Sequence, residues 1–155
     1  MRSFGVSLLT LCGLLWLLTG FVRSDNTRTF IYRNEPVITT TNVPARFLGK
    51  YTGRNGGYLE LRGDGTGTYV YDYFVYPTEG CVPGPVAIEW GFLINEKGGV
   101  FRYDRQYGYS YPVILKATSE NTSFQGCRET VIMDYILVRG KELSVSSSDD
   151  WVKYF

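Results

Sequence analysis

The run Tyr58-Leu-Glu-Leu-Arg-Gly-Asp-Gly-Thr-Gly-Thr-Tyr-Val-Tyr-Asp-Tyr73 constrains the chain more than any other stretch. Before Asp64-Gly65, Leu59 and Leu61 alternate with Tyr58, Glu60 and Arg62. After it, Thr68, Val70, Asp72 and Phe74 alternate with Tyr69, Tyr71 and Tyr73. A period of two on both sides of an Asp-Gly pair specifies an antiparallel hairpin and is incompatible with a helix. Leu48-Gly-Lys-Tyr-Thr-Gly53, just before it, reads as a short strand ending in a glycine turn.

The same pattern returns further on. Val86, Ile88, Trp90, Phe92 and Ile94 alternate with Ala87, Glu89, Gly91, Leu93 and Asn95, and Glu96-Lys-Gly-Gly99 is the turn. With Lys97-Gly98 as loop residues, Ile94 would face Phe101, Phe92 would face Tyr103, and Trp90 would carry the Arg105 cation over its indole. Tyr107, Tyr109, Tyr111, Val113 and Leu115 share one parity of a following strand, in which Pro112 asks for an edge or a bulge. The last hairpin pairs Ile132, Asp134, Ile136 and Val138 onto Leu143 and Val145 across Gly140-Lys141, with Arg139 opposite Glu142. Ser146–Asp150 is a turn, and Trp151–Phe155 a closing strand. No helical period follows residue 24, and the 13 Tyr, 9 Phe and 18 Gly favour strands and tight turns. The fold class is therefore all-β, an antiparallel up-and-down barrel or meander of about 7–9 strands.

The 155 residues suffice for one domain. Residues 4–22 carry no charge and end at Val22-Arg23-Ser24, so residues 1–24 read as a secretory signal peptide. An uncleaved anchor is the rival, since those 19 residues are just long enough to span a bilayer. Leu11 before Cys12 argues against lipidation, which wants a small residue there. Residues 25–45, rich in Thr and Asn and broken by Pro36 and Pro44, read as an extended leader with one edge strand at Phe30-Ile31-Tyr32. The barrel domain then covers 46–155. The expected location is extracytoplasmic, secreted or periplasmic, as a monomer with no stable membrane insertion after cleavage.

Loss of the signal leaves Cys81 and Cys127, an even pair whose expected state in an exported domain is a disulfide. It would close a loop of about 46 residues, worth on the order of 4 kcal/mol. It would also leave 14 basic against 15 acidic residues, without the basic footprint that nucleic-acid binding requires.

The Gly49-Lys50-Tyr51 opening, the Leu59-Glu-Leu strand, the Gly63-Asp-Gly-Thr hairpin and the ending Tyr135-Ile-Leu-Val-Arg-Gly-Lys-Glu-Leu-Ser-Val resemble small secreted lipocalin-like domains of the calycin type. The resemblance covers about a third of the mature chain, and Tyr51 stands where better-known lipocalins have tryptophan. It implies the barrel and carries no chemistry with it.

With no histidine and no free cysteine expected, the usual nucleophile–base pairs have no members, so the chain is expected not to be an enzyme. Asp72, Glu89, Asp104 and Asp134 fall in strand patterns where solvent or a cross-strand Arg102, Arg105 or Arg128 satisfies a carboxylate more simply than a glycosidase site would. Asp64-Gly-Thr-Gly and Asp149-Asp150 lack the spacing of a calcium loop and read as turns, so no metal or cofactor is expected. Asn121-Thr-Ser is a glycosylation sequon in a eukaryotic host.

Tyrosine is the residue type that suggests binding. With a tight Asp64-Gly65 loop, Leu59 faces Val70 inside, and Tyr58, Tyr69, Tyr71 and Tyr73 form an outward patch for a partner. A bulge within Gly63–Gly67 would reverse the parity and bury the ring row. The expected function is a non-catalytic binding domain for a small apolar ligand, a glycan or a protein. The alternative is a disulfide-tied barrel acting as an enzyme inhibitor, through the loop Thr78–Pro85, or as an envelope structural component.

Overall fold

The computed structural model describes residues 26–53, 56–70, 84–118, 130–146 and 148–154. They contain β1 (Thr27–Tyr32), β2 (Glu35–Thr40), a 3-10 turn (Ala45–Phe47), β3 (Gly49–Thr52), β4 (Tyr58–Leu61) and β5 (Thr66–Val70). After these come β6 (Val86–Leu93), β7 (Tyr103–Arg105), β8 (Gly108–Ala117), β9 (Val131–Arg139), β10 (Glu142–Val145) and β11 (Ser148–Tyr154). Eight of these strands, β3 to β6 and β8 to β11, close into an antiparallel up-and-down barrel. Each pairs with the next, β6 passes to β8, and β11 returns to β3 at Val152 and Thr52. Inward positions carry Tyr51, Leu59, Leu61, Tyr69, Ile88, Trp90, Phe92, Val113, Leu115, Ile136 and Leu143 as one continuous core.

The β4–β5 turn settles the parity, and it reverses the expected facing of Tyr69. Arg62 N–H donates to Thr66 O at 2.9 Å and Gly65 N–H to Arg62 O at 3.1 Å, so Gly63-Asp64-Gly65 is a three-residue loop. Gly65 takes φ +81°, the left-handed position that such a loop requires. Asp64 Oδ1 accepts the Thr66 hydroxyl at 2.7 Å and the Thr66 N–H at 2.9 Å. These bonds hold the Asp64 carboxyl below the usual carboxylate range. The odd loop residue slips the register by one. Leu59 sits opposite Tyr69 and Leu61 opposite Gly67, which leaves Tyr69 only 6% exposed, inside the barrel.

The second hairpin departs from its expected register for the same reason and for one more. Asn95 and Gly99 close another three-residue loop, with Gly98 at φ +76° and the Asn95 carboxamide oxygen accepting from Lys97 and Gly99 N–H. Ile94 therefore meets Val100, and the chain leaves β6 after Phe101, whose N–H donates to Leu93 O at 2.7 Å. Trp90 and Phe92 pair instead with Leu115 and Val113 of β8. Val113, Leu115 and Ala117 offer β6 an apolar face, whereas the expected pairing would have drawn the Arg105 charge into the core beside Trp90. The Trp90 indole N–H donates to Thr66 O at 2.7 Å, and Arg105 lies over Tyr103. β7 becomes a short ribbon on β8, turning at Gln106-Tyr107. Pro112 falls between Val113, the last residue paired with β6, and Ser110, the last paired with β7, where no cross-strand partner on that side loses a donor.

The β9–β10 hairpin has the expected register: Val138 opposite Leu143, Ile136 opposite Val145 and Arg139 opposite Glu142. Gly140 at φ +60° serves the first loop position.

Residues 27–40, read from sequence as a leader with an edge strand, form a complete hairpin through Arg33 and Asn34, both at positive φ. It lies across the outer wall of the barrel. Phe30 is buried, and a methyl group on Gly91 would run into the Thr39 side chain and come within 3.3 Å of the Phe30 ring. Arg28 donates to Gly65 O at 2.8 Å and Asp64 O at 2.9 Å, fastening the hairpin to the β4–β5 loop.

Candidate functional site

An eight-stranded barrel is just wide enough either to hold one small ligand or to be filled by its own side chains. Here the described interior is filled. One end is closed by Phe47 on the 3-10 turn, whose ring lies 5.2 Å from Phe92 and 4.9 Å from Tyr111, centre to centre. Trp90 then packs edge-on against Phe92 at 5.8 Å. The Tyr51 hydroxyl donates to Phe47 O at 2.8 Å, and burial raises its pKa above the ordinary phenol value. Lys153 reaches back from β11 across the Tyr51 ring and donates to Leu48 O and, at 2.9 Å, to Arg46 O. Partial burial lowers its pKa. First and last barrel strands thus hold the plug jointly. A water-sized void would leave accessible surface on the side chains around it, yet Tyr51, Leu59, Trp90, Phe92, Val113 and Leu115 have none.

Of the predicted tyrosine row, Tyr58 and Tyr69 lie among the described residues, and they fall on opposite sides of the barrel wall. Tyr69 is core, while Tyr58 is half-buried outside, with Lys50 Nζ 3.6 Å over its ring. Tyr71 and Tyr73 lie outside the described residues, as do Cys81, Cys127 and most of the Thr78–Pro85 loop. The strand ends that flank the two cysteine segments are described: Tyr69 pairs with Val86, Ile88 with Ala117 and Lys116 with Val131, all toward one end of the barrel.

Asp72 lies outside the described residues, and the other three carboxylates, Glu89, Asp104 and Asp134, each have separate surroundings. Glu89 stands 3.9 Å from Lys116 and Asp104 3.7 Å from Arg102, both pairs exposed. Asp134 is buried on the inner face of β9, accepting from Tyr135 N–H at 2.7 Å. Among the described residues, no three His, Cys, Asp or Glu side chains gather as a metal site would need.

A different aromatic surface forms where β7 and β8 run beyond β6. Phe101 and Tyr103 meet edge-on at 4.8 Å, Tyr135 lies 6.4 Å from Tyr103, and Arg102 stacks over Tyr109 at 4.1 Å. Beside them is an open cleft of about 340 Å³, lined by Arg105, Gln106, Tyr107, Tyr109, Leu137 and Arg139 among others. Gly108 makes the close approach: a methyl group there would be driven into the Val138 carbonyl oxygen. Sequence reasoning read Tyr107 and Tyr109 as ordinary strand positions. The signal was the density of rings and guanidinium groups between Phe101 and Tyr111, more polar than a core strand tolerates.

Comparisons with protein-family models, with curated proteins and with solved structures find no match to this chain.

Proposed function

We propose that this chain is an exported, non-catalytic binding domain of the lipocalin-like type, which engages its partner through the outer surface instead of the lumen. The filling of the described interior carries the reading: among the described residues, Trp90, Phe92, Tyr111 and Phe47 occupy space that a lumen ligand would take. The up-and-down order of eight strands, closing first on last, agrees with the lipocalin-like resemblance of the Gly49-Lys50-Tyr51 opening and the closing hairpin. Exposed aromatics on the β7–β8 ribbon supply a contact surface of the kind that partners use.

The test is uptake of apolar probes. Dodecanoate and anilinonaphthalene sulfonate, each added at millimolar concentration, should leave the side-chain methyl resonances of Ile88, Leu115 and Ile136 unmoved. Shifts at these buried methyls, saturating with probe, would return the function to the lumen.

A further inference from the structure

We infer that the cleft beside the β7–β8 turn binds an acidic saccharide, a sugar ring bearing a carboxylate or sulfate group. The inference rests on the exterior-binding reading and names the ligand class for one part of that exterior.

Charge comes first. The charged side chains lining the cleft are Arg105 and Arg139, and neither takes part in an ion pair among the described residues. Two carboxylates lie nearby in register. Asp104 is engaged by Arg102, and Glu142 stands opposite Arg139 without coming within ion-pair distance. Two guanidinium forks bordering one depression present paired donors matched to a planar or tetrahedral oxyanion.

Shape comes second. Tyr107 is 77% exposed at the tip of the ribbon, and the Gln106 carboxamide donates to its hydroxyl at 3.1 Å. Tyr109 is steadied on one side by the Arg102 guanidinium and touches Tyr111 edge-on at 6.4 Å. Rings held this way lose little freedom when a ligand stacks on them. A pyranose offers an apolar C–H face to such a ring and hydroxyl groups to Gln106 and the tyrosine oxygens. About 340 Å³ lies at the small end of ligand sites, suited to one or two sugar rings. An extended peptide would instead add along a strand edge, and β7 offers only three residues, Tyr103–Arg105.

The experiment follows backbone amide shifts of the purified full chain titrated with 3′-sialyllactose, with 3′-sulfolactose, with lactose, and with sodium sulfate and sodium acetate. Either acidic trisaccharide or sulfated disaccharide should move the Tyr107, Tyr109 and Arg139 amides in a saturable way, and the stronger of the two identifies the acidic group. Lactose or the simple anions should bind at least tenfold more weakly. Arg105→Gln and Arg139→Gln should each weaken binding about tenfold or more, the size of a lost charge-assisted hydrogen bond. Tyr107→Ala should weaken it as well, and Lys97→Gln, on the turn after β6 and not among the residues lining the cleft, should not. These side chains are exposed or half-buried, so the spectra of the variants should retain their dispersion. Equal binding of lactose, equal binding of the bare anions, unaltered binding by both arginine variants, or no binding at all would overturn the inference. The exterior reading itself would survive any of these results, because only entry of apolar probes beside Ile88 and Leu115 removes it.

Discussion

Removing the ring of Phe47 should both weaken this barrel and open it. Phe47 is 1% exposed and touches Phe92 and Tyr111, so Phe47→Ala strips a side chain enclosed on all sides. The lost ring vacates on the order of 100 Å³, which at ~24 cal/mol per Å³ of residual cavity costs ~2.4 kcal/mol. Transfer of the missing apolar atoms adds ~2 kcal/mol. Partial relaxation of the 3-10 turn subtracts from this, leaving an expected loss of roughly 3–4 kcal/mol out of a total of about 5–15 kcal/mol for an ordinary domain. In urea, with a slope of ~2 kcal/mol per M, the midpoint should fall by ~1.5–2 M at an unchanged slope. The variant should also bind benzene or indole, because an apolar cavity of this size stays dry and accepts such molecules. That gain is read as a rise in melting temperature with added indole, absent from the wild-type protein. A loss below about 1 kcal/mol, with no response to indole, would refute the account of Phe47 as the plug of a filled barrel.

Two further outcomes follow from the facing of the tyrosines and from burial. Tyr69→Ser should cost roughly 3–5 kcal/mol in thermal or urea unfolding, whereas Tyr58→Ser should cost under about 1 kcal/mol, since one ring is core and the other lies outside under Lys50. Stability should fall as pH rises above about 10: the Tyr51 hydroxyl has its folded pKa raised, so the unfolded chain loses that proton first and is favoured at alkaline pH. Tyr51→Phe should flatten this alkaline limb in a pH series of urea midpoints, and an unchanged limb would count against the assignment.

Much of the barrel was legible because its inner face is spelled out at a period of two. Ile132, Ile136 and Val138 on β9, with Leu143 and Val145 on β10, could take no other register once Gly140-Lys141 was the turn. Facing was harder at Gly63–Gly67, where five consecutive residues admit a loop of two or of three, and one residue moves Tyr69 across the wall. The pairing of β6 with β8 was hidden because the nearest return strand in sequence, Tyr103–Arg105, is too polar to face Trp90. Only the competition between two partners reveals that. The plug was illegible for another reason: Phe47, Tyr51 and Lys153 meet from opposite ends of the domain, and no local pattern announces a contact over such a distance. The Arg105–Arg139 cleft arises the same way, from β7 and β9 brought together by β8.

The seam between β3 and β11 has a consequence for how the molecule comes into being. Thr52 and Val152 meet across a hundred residues of chain, whereas every other barrel pairing joins neighbours in sequence or nearly so. Hairpins can form locally within microseconds, but the ring closes only when the first and last barrel strands find each other. Until then both carry an unpaired edge, the kind on which chains associate with one another. Lys153 crosses that same seam to grip the carbonyl groups of Arg46 and Leu48, so it acts as a latch engaged only after closure. Refolding at high protein concentration should therefore lose more material to aggregation when the latch is removed, even where the finished barrel is scarcely less stable.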